Sequence, residues 1–206
     1  MFLSVFDIFK IGIGPSSSHT VGPMVAAQHF LDKAANASLP HTGRLTVTLH
    51  GSLAFTGKGH GTDRAVILGL AGEKPQTMDP DRVDEVLRMM AERGNIPLPD
   101  GHALVFSPVR DVIFDFGPAL KGHANGMVFR ILDDDNNTLL AETYFSIGGG
   151  FVQTEAERAA SGAYANVSIF DVKDHDELHG LLSTLPLFPF MDITVTPLAK
   201  HPSAID

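Results

Sequence analysis

The sequence predicts a domain in which helices dominate the first half and strands the second. Three observations carry this. Apolar residues recur at helical spacing in three runs before residue 95; apolar and polar residues alternate in short runs after residue 100; and hydrophobic residues make up 44% of the chain, enough to bury a core. Between these runs lie segments rich in Gly, Ser and His that neither pattern explains.

The N-terminal run "MFLSVFDIFKIGIG" is apolar but carries Asp7, has no basic leader and no small-residue cleavage site, so it reads as a core strand or short helix. The serine-rich "GPSSSHTVGPM" leads into a helix with Met24, Ala27, Phe30, Leu31 and Ala34 on one face; Pro23 suits its first position, and a Ser or Thr just before it suits the cap. In "RLTVTLHGSL", Leu45, Val47 and Leu49 alternate with polar neighbours as in a strand. "RAVILGLAG" is a short helix capped by Thr62 or Asp63 and stopped by Gly72. A third helix over 81–93 places Val83, Val86, Leu87 and Met90 together and ends at Gly94. "HALVFSP" and "RDVIFDF" read as strands broken by Pro108. A hairpin follows, Met127, Phe129 and Ile131 facing Leu139, Ala141 and Thr143 across a turn at Asp133–Asn137, and "SIGGGF" closes it. From Gln153 the polar, small-residue run reads as a linker, 171–185 as one more helix, and the Pro-rich end as extended chain.

Composition narrows the chemistry. A formal net charge of −9 without a Lys/Arg cluster argues against nucleic acid as a partner. No apolar run reaches the roughly 18–20 residues of a membrane helix. The absence of cysteine excludes disulfides, thiolate zinc sites and cysteine-ligated clusters built by this chain. "GSLAFTGKG" fails as a phosphate loop: five residues separate its first two spacing glycines where about four are required, and no Ser or Thr follows Lys58. "DDDNN" fails as a calcium loop, because the positions that require Gly and Glu hold Thr138 and Tyr144. His29, His41, His102, His175, His179 and His201 make no metal-binding pair and read as surface or loop residues, so no metal site is expected.

Four segments remain: Ser16-Ser17-Ser18-His19-Thr20, His60-Gly61-Thr62-Asp63, His123-Ala124-Asn125-Gly126 and Ser146-Ile147-Gly148-Gly149-Gly150. Each sets hydroxyls, an imidazole or an amide beside glycine, where backbone can approach a ligand. Singly, each is explained as a helix cap or tight turn. Together, with imidazoles able to pass protons near neutral pH and helix N-termini that favour anions, they point to one composite small-anion site.

In that wording "SVFDIFKIGIGPSSSHTVGPM", "GSLAFTGKGHGTD", "HANGM" and "YFSIGGGF" resemble, in order from Ser4 to about Phe151, the β domain of bacterial iron–sulfur-dependent L-serine dehydratase, in its single-chain form. The resemblance implies an α+β domain, a mixed or antiparallel sheet with helices packed on one side, similar to the allosteric substrate-binding domain of phosphoglycerate dehydrogenases. It divides the chain into a β domain, 1–153, and a linker or tail, 154–206, leading toward an α domain. It implies a cytoplasmic, homodimeric enzyme that takes L-serine to pyruvate and ammonia, with a 4Fe–4S cluster held by three cysteines of the α domain. This chain, without cysteine, is then the substrate-binding part, inactive without the α domain.

Carried over by position, Ser16, Ser17, Ser18, His19 and Thr20 line the cleft and hold the substrate carboxylate. His60 is the general base or orients it, with His19 the second candidate. Asp63 fixes a His tautomer or caps its own helix. Asn125 and Ser146, with Gly148 and Gly149, close the pocket. The alternatives are a regulatory serine- or anion-binding module without catalysis, and an interaction module.

Overall fold

In the computed structural model the run after the serine-rich loop forms helix α1, Val21–Ala35. The structure describes residues 14, 16–37, 39, 43–99, 101–161, 174 and 176–177. The apolar N-terminal run before Gly14, the Pro-rich end, and all but three residues of the helix expected at 171–185 lie outside these. The chain divides into two compact units, Met1–Ala163 and Tyr164–Asp206. In the second, the Asp174 carboxylate accepts the backbone N–H groups of Asp176 and Glu177.

After α1 come β1 (Arg44–Gly51), three successive helices α2 (Ser52–Phe55), α3 (Gly57–His60) and α4 (Thr62–Leu70), a 3₁₀ turn (Pro80–Arg82) and α5 (Val83–Arg93). Then follow β2 (Asn95–Pro97), β3 (Ala103–Val105), α6 (Pro108–Asp111), β4 (Val112–Asp115), β5 (Asn125–Leu132), β6 (Thr138–Gly148), β7 (Phe151–Thr154) and α7 (Glu155–Ser161). One mixed sheet runs β2-β3-β1-β5-β6-β7, with β4 also on β1. β1 is parallel to β3 and β4 and antiparallel to β5, and β5-β6-β7 is an antiparallel meander. The architecture is α+β. No helix among the described residues is long and apolar enough to cross a membrane.

The alternation read in β1 sends Leu45, Val47 and Leu49 to one face, where they are fully buried with Met127, Phe129 and Ile131. α1 covers that face through Ala27, Phe30 and Ala34, and the rings of Phe30 and Phe129 stack at 5.2 Å. α4 adds Val66 and Leu70 and lies close against α1: a Cβ on Gly69 would stand 2.3 Å from the Met24 carbonyl oxygen. α5 packs through Val86 and Met90.

Four sequence expectations are corrected. The hairpin register holds only next to the turn, at Leu132↔Thr138; a bulge between Ile131 and Leu132 shifts every later pair by one residue, so Met127 faces Tyr144 and Phe129 faces Glu142. Within the run read as a linker from Gln153, residues 153–161 form the end of β7 and then α7. There Thr154 and Glu157 make a reciprocal cap: Glu157 accepts from the Thr154 N–H and hydroxyl, and the Glu157 N–H donates to Thr154 Oγ1. Neither Thr62 nor Asp63 caps α4, whose N-cap is Gly61 at φ +73°. α1 begins at Val21, two residues before Pro23; Thr20 stands at its N-cap, but the Thr20 hydroxyl donates backward to the Ser16 carbonyl (2.7 Å).

Candidate functional site

β5 is antiparallel to both β1 and β6, so β1 ends where β5 begins and β6 ends. This places the exits of β1 and β6 and the entry of β5 at one end of the sheet. The N-terminus of α1 lies there too: a Cβ on Gly22 would stand 2.0 Å from Ser146 Oγ. Ser146 is fully buried, and its hydroxyl has no hydrogen-bond partner among the described residues. Its carbonyl accepts from Asn125 Nδ2 (3.2 Å). The Ala124 carbonyl accepts the Ser52 N–H (2.8 Å), tying the His123–Gly126 segment to the exit of β1.

The serine-rich loop meets the His19 ring at its Nδ1 edge. Ser16 Oγ and Ser18 Oγ lie 3.3 and 3.1 Å from Nδ1, and Ser52 Oγ and Thr56 Oγ1 lie 3.1 and 3.0 Å from Nε2. The Thr56 hydroxyl spends its one hydrogen on the Ser52 carbonyl (2.8 Å), so toward His19 it accepts. Nε2 therefore carries the proton of the neutral ring, and Nδ1 accepts from the serines. Burial holds the His19 pKa below the usual imidazole value, and the neighbouring His60 pushes it the same way, against a backbone hydrogen bond with Ser52. His19 is thus a neutral ring with both nitrogens engaged.

His60 differs. Its ring lies 4.7 Å from that of His19, and its Nδ1 stands 2.9 Å from the Thr56 carbonyl, which can only accept. Nδ1 is therefore the donor, and the lone pair of the neutral ring is on Nε2. One side of His60 borders a cleft of about 270 Å³ lined also by Thr20, Gly61, Arg64, Met24 and Leu68.

The remaining expected residues sort as follows. Ser17 is exposed, and its carbonyl accepts the Gly22 N–H (2.9 Å). Asp63 accepts from Lys58 Nζ (2.7 Å) rather than from an imidazole. Gly148, Gly149 and Gly150 all have positive φ, +98°, +58° and +77°, and form the turn into β7. His123 Nδ1 accepts the Asn125 N–H (3.0 Å), and burial followed by the charge of Arg158 lowers its pKa. Sequence reasoning missed Ser52 and Thr56, both inside the rejected phosphate-loop segment; their spacing of four, one helical turn, was the available signal. Beyond them Phe55 and Phe116 are exposed in an edge-to-face pair at 5.4 Å, forming an aromatic ridge on this rim. Among the described residues no three His, Asp or Glu side chains gather as metal ligands. With no cysteine in the sequence, this chain's donors do not fit an iron–sulfur cluster.

Residues 4–157 match the family model described as serine dehydratase beta chain, and residues 154–204 match one described as muconolactone delta-isomerase. An L-serine dehydratase of Streptomyces coelicolor is 45% identical over 156 residues, 75% of this chain and 34% of that protein. The L-serine dehydratase TdcG of Escherichia coli is 44% identical over 154 residues, 74% of this chain and 34% of that protein. One from Haemophilus influenzae is 38% identical over 193 residues, 90% of this chain and 42% of that protein. The aligned part is thus well under half the length of each of these relatives.

Proposed function

From the premise that this chain belongs to the serine dehydratase beta-chain family, we propose that it supplies the substrate-binding and proton-transfer groups of an L-serine ammonia-lyase, and that His60 is the base. The observation that carries the second part is the His60 Nδ1 contact with the Thr56 carbonyl, which leaves the lone pair on Nε2. His19, held by four hydroxyls, is the positioning ring beside it. The substrate carboxylate is held at the N-terminus of α1 by the loop of Ser16, Ser17, Ser18 and Thr20, where positive end potential favours an anion. Ser146 offers there a buried hydroxyl without a partner among the described residues, and Asn125 braces it through the Ser146 carbonyl. Gly148 and Gly149 shape the adjoining turn.

His60 takes the Cα proton of L-serine as the β-hydroxyl leaves as water; the resulting aminoacrylate is protonated at Cβ to its imine, which water then hydrolyses to pyruvate and ammonia. In the complete enzyme a 4Fe–4S cluster, held by the cysteines of an α domain, would supply Lewis acidity toward the β-hydroxyl, and the exposed pair of Phe55 and Phe116 is the surface this reading assigns to contact with that domain. A cytoplasmic homodimer completes this reading.

The test combines this chain with an α domain from one of its relatives, loaded with its cluster under anaerobic conditions, and measures pyruvate from L-serine. His60→Ala is expected to lower turnover about 10²–10⁴-fold with little change in serine affinity. An unchanged rate removes His60 from the mechanism. Serine binding without pyruvate, with the α domain shown to bind, points to a regulatory module instead.

For the segment after α7 a second reading is favoured by two observations, the match of 154–204 to the muconolactone delta-isomerase model and the division of the chain at Ala163. On that reading residues 164–206 are a separate module rather than a linker, and a chain ending at residue 163 keeps the serine site. Loss of serine binding on that truncation would restore the tail to the site.

A further inference from the structure

We infer that Arg158 is a positioning residue for the serine site, acting through the His123–Asn125 segment. The inference rests on the reading above. Arg158 lies one residue beyond the stretch that the serine dehydratase beta-chain model matches. Its place is set by α7, whose first turn is fixed by the reciprocal Thr154–Glu157 cap.

From there the guanidinium reaches back across the sheet end. Nη2 donates to the Gly122 carbonyl (2.8 Å), Nη1 to Gln153 Oε1 (3.3 Å), and the plane lies 5.5 Å from the centre of the Phe145 ring. Gly122 is shaped to this contact. It has φ +117°, and a Cβ there would stand 3.1 Å from Arg158 Nε. Residues 116–124 contain no helix or strand, and two carbonyls of this loop are held from outside it, Gly122 by Arg158 and Ala124 by the Ser52 N–H.

The anchored loop leads directly to the site. The next residue, His123, takes the Asn125 N–H on Nδ1 (3.0 Å). Asn125 donates to the Ser146 carbonyl (3.2 Å), and the Ala124 carbonyl accepts the Ser52 N–H (2.8 Å). Ser52 Oγ lies 3.1 Å from His19 Nε2. Bonded neighbours thus connect the Arg158 guanidinium to His19 through one loop and one strand exit. A planar fork with donors in two directions suits this task; an ammonium at the same place keeps the charge and makes a single contact.

The test uses the full chain and two substitutions, Arg158→Gln and Arg158→Lys, with amide hydrogen exchange as the first readout. In Arg158→Gln the Ser52 and Asn125 amides are expected to exchange about tenfold faster or more, while core amides of β1 such as Val47 keep their wild-type rates. Arg158→Lys is expected to fall between. The second readout is turnover with the cluster-loaded α domain, expected to drop in Arg158→Gln and to recover partly in Arg158→Lys. Unchanged exchange at Ser52 and Asn125 in Arg158→Gln overturns the inference, as does an equal acceleration of the Val47 amide, which would mark a merely structural role. Wild-type chain that binds no L-serine, with exchange responding as expected, overturns the functional reading and leaves the loop anchor standing.

Discussion

Replacing Gly22 by Ala tests how the site is assembled. On helix propensity alone the change stabilises a helix, by about 0.5–1 kcal/mol in its interior and less in the first turn. The packing opposes it. The new methyl would stand 2.0 Å from Ser146 Oγ and 2.8 Å from Ser146 Cβ. Rotating the serine hydroxyl relieves the first contact and not the second. Neither backbone retreats easily, because β6 is paired on both sides here, Phe145↔Gly126 and Ser146↔Val152, and the Gly22 N–H is bonded to the Ser17 carbonyl. Overpacking of this kind costs about 1–3 kcal/mol, so the clash wins and Gly22→Ala is expected to destabilise the chain by about 1–2 kcal/mol. The assay is urea denaturation of four proteins: wild type, Gly22→Ala, Ser146→Gly and the double variant. Removing Cβ from Ser146 should make Gly22→Ala nearly neutral, giving a coupling of about 1–3 kcal/mol. Gly22→Ala that stabilises, or that costs the same in both backgrounds, would refute the placement of α1 on Ser146 and with it the proposed carboxylate cradle.

Three further outcomes are expected. Gly69→Ala drives a methyl to 2.3 Å from the Met24 carbonyl oxygen and 2.8 Å from Ala27 Cβ, so it should lower the denaturation midpoint by the equivalent of about 1–3 kcal/mol or more; a neutral result would mean α1 and α4 pack less closely. Thr56→Val removes the one hydroxyl that must accept from His19 Nε2 and leaves Ser52 Oγ, which can donate or accept, so ¹⁵N imidazole shifts should then show His19 losing its single tautomer; unchanged shifts would contradict the assignment. His19, His50 and His123 have pKa values lowered chiefly by burial, relative to an ordinary value of 6.5. The unfolded chain then takes up their protons first as pH falls, so stability is full above about pH 6.5 and is lost as pH drops through the lowered folded values. Urea midpoints measured from pH 8 down to pH 5 should fall, and a flat or rising series would refute the assignment.

Much of this structure is legible in the sequence because its long elements are amphipathic. Leu45, Val47 and Leu49 mark β1 by alternation, and Met24, Ala27, Phe30, Leu31 and Ala34 mark α1 by spacing; all are buried as read except Leu31, which is partly buried against the core. What escapes is short or set by tertiary geometry. β2 is three residues long, and α2 and α3 are single turns in a glycine-rich run, where propensity carries little information. The hairpin register depends on one bulge, invisible to a period-two pattern. α7 is a different case. Thr154-Glu155-Ala156-Glu157 carries the Thr-x-x-Glu capping signature, and the polar composition around it masked that signal. At the site, the histidines and hydroxyls stand out in sequence, but the hydrogen bonds that distinguish His19 from His60 come from Ser52 and Thr56, which only the fold brings there.

The convergence of the four segments follows from strand direction, and it also shows which glycines serve the site indirectly. Because β1 and β6 both run toward the end from which β5 departs, the β1 exit, the His123–Gly126 entry and the Ser146 exit must share a rim. α1 begins on the same rim, as the approach of Gly22 to Ser146 shows. Two segments then supply the imidazoles, and two supply the amide and hydroxyl that frame them. The glycines after Ser146 have a sufficient cause in the turn: three successive positive φ values are costly for any side chain, whereas a Cβ on Gly148 would meet nothing within 4 Å. Close approach of a ligand is not needed to explain them. Gly22 and Gly51 are different, since a Cβ on either would strike Ser146 Oγ at 2.0 Å or the Ala124 carbonyl at 2.3 Å. These two glycines let the serine loop, the β1 exit and the asparagine segment close on one another, and the chemistry assigned to His60 depends on that closure.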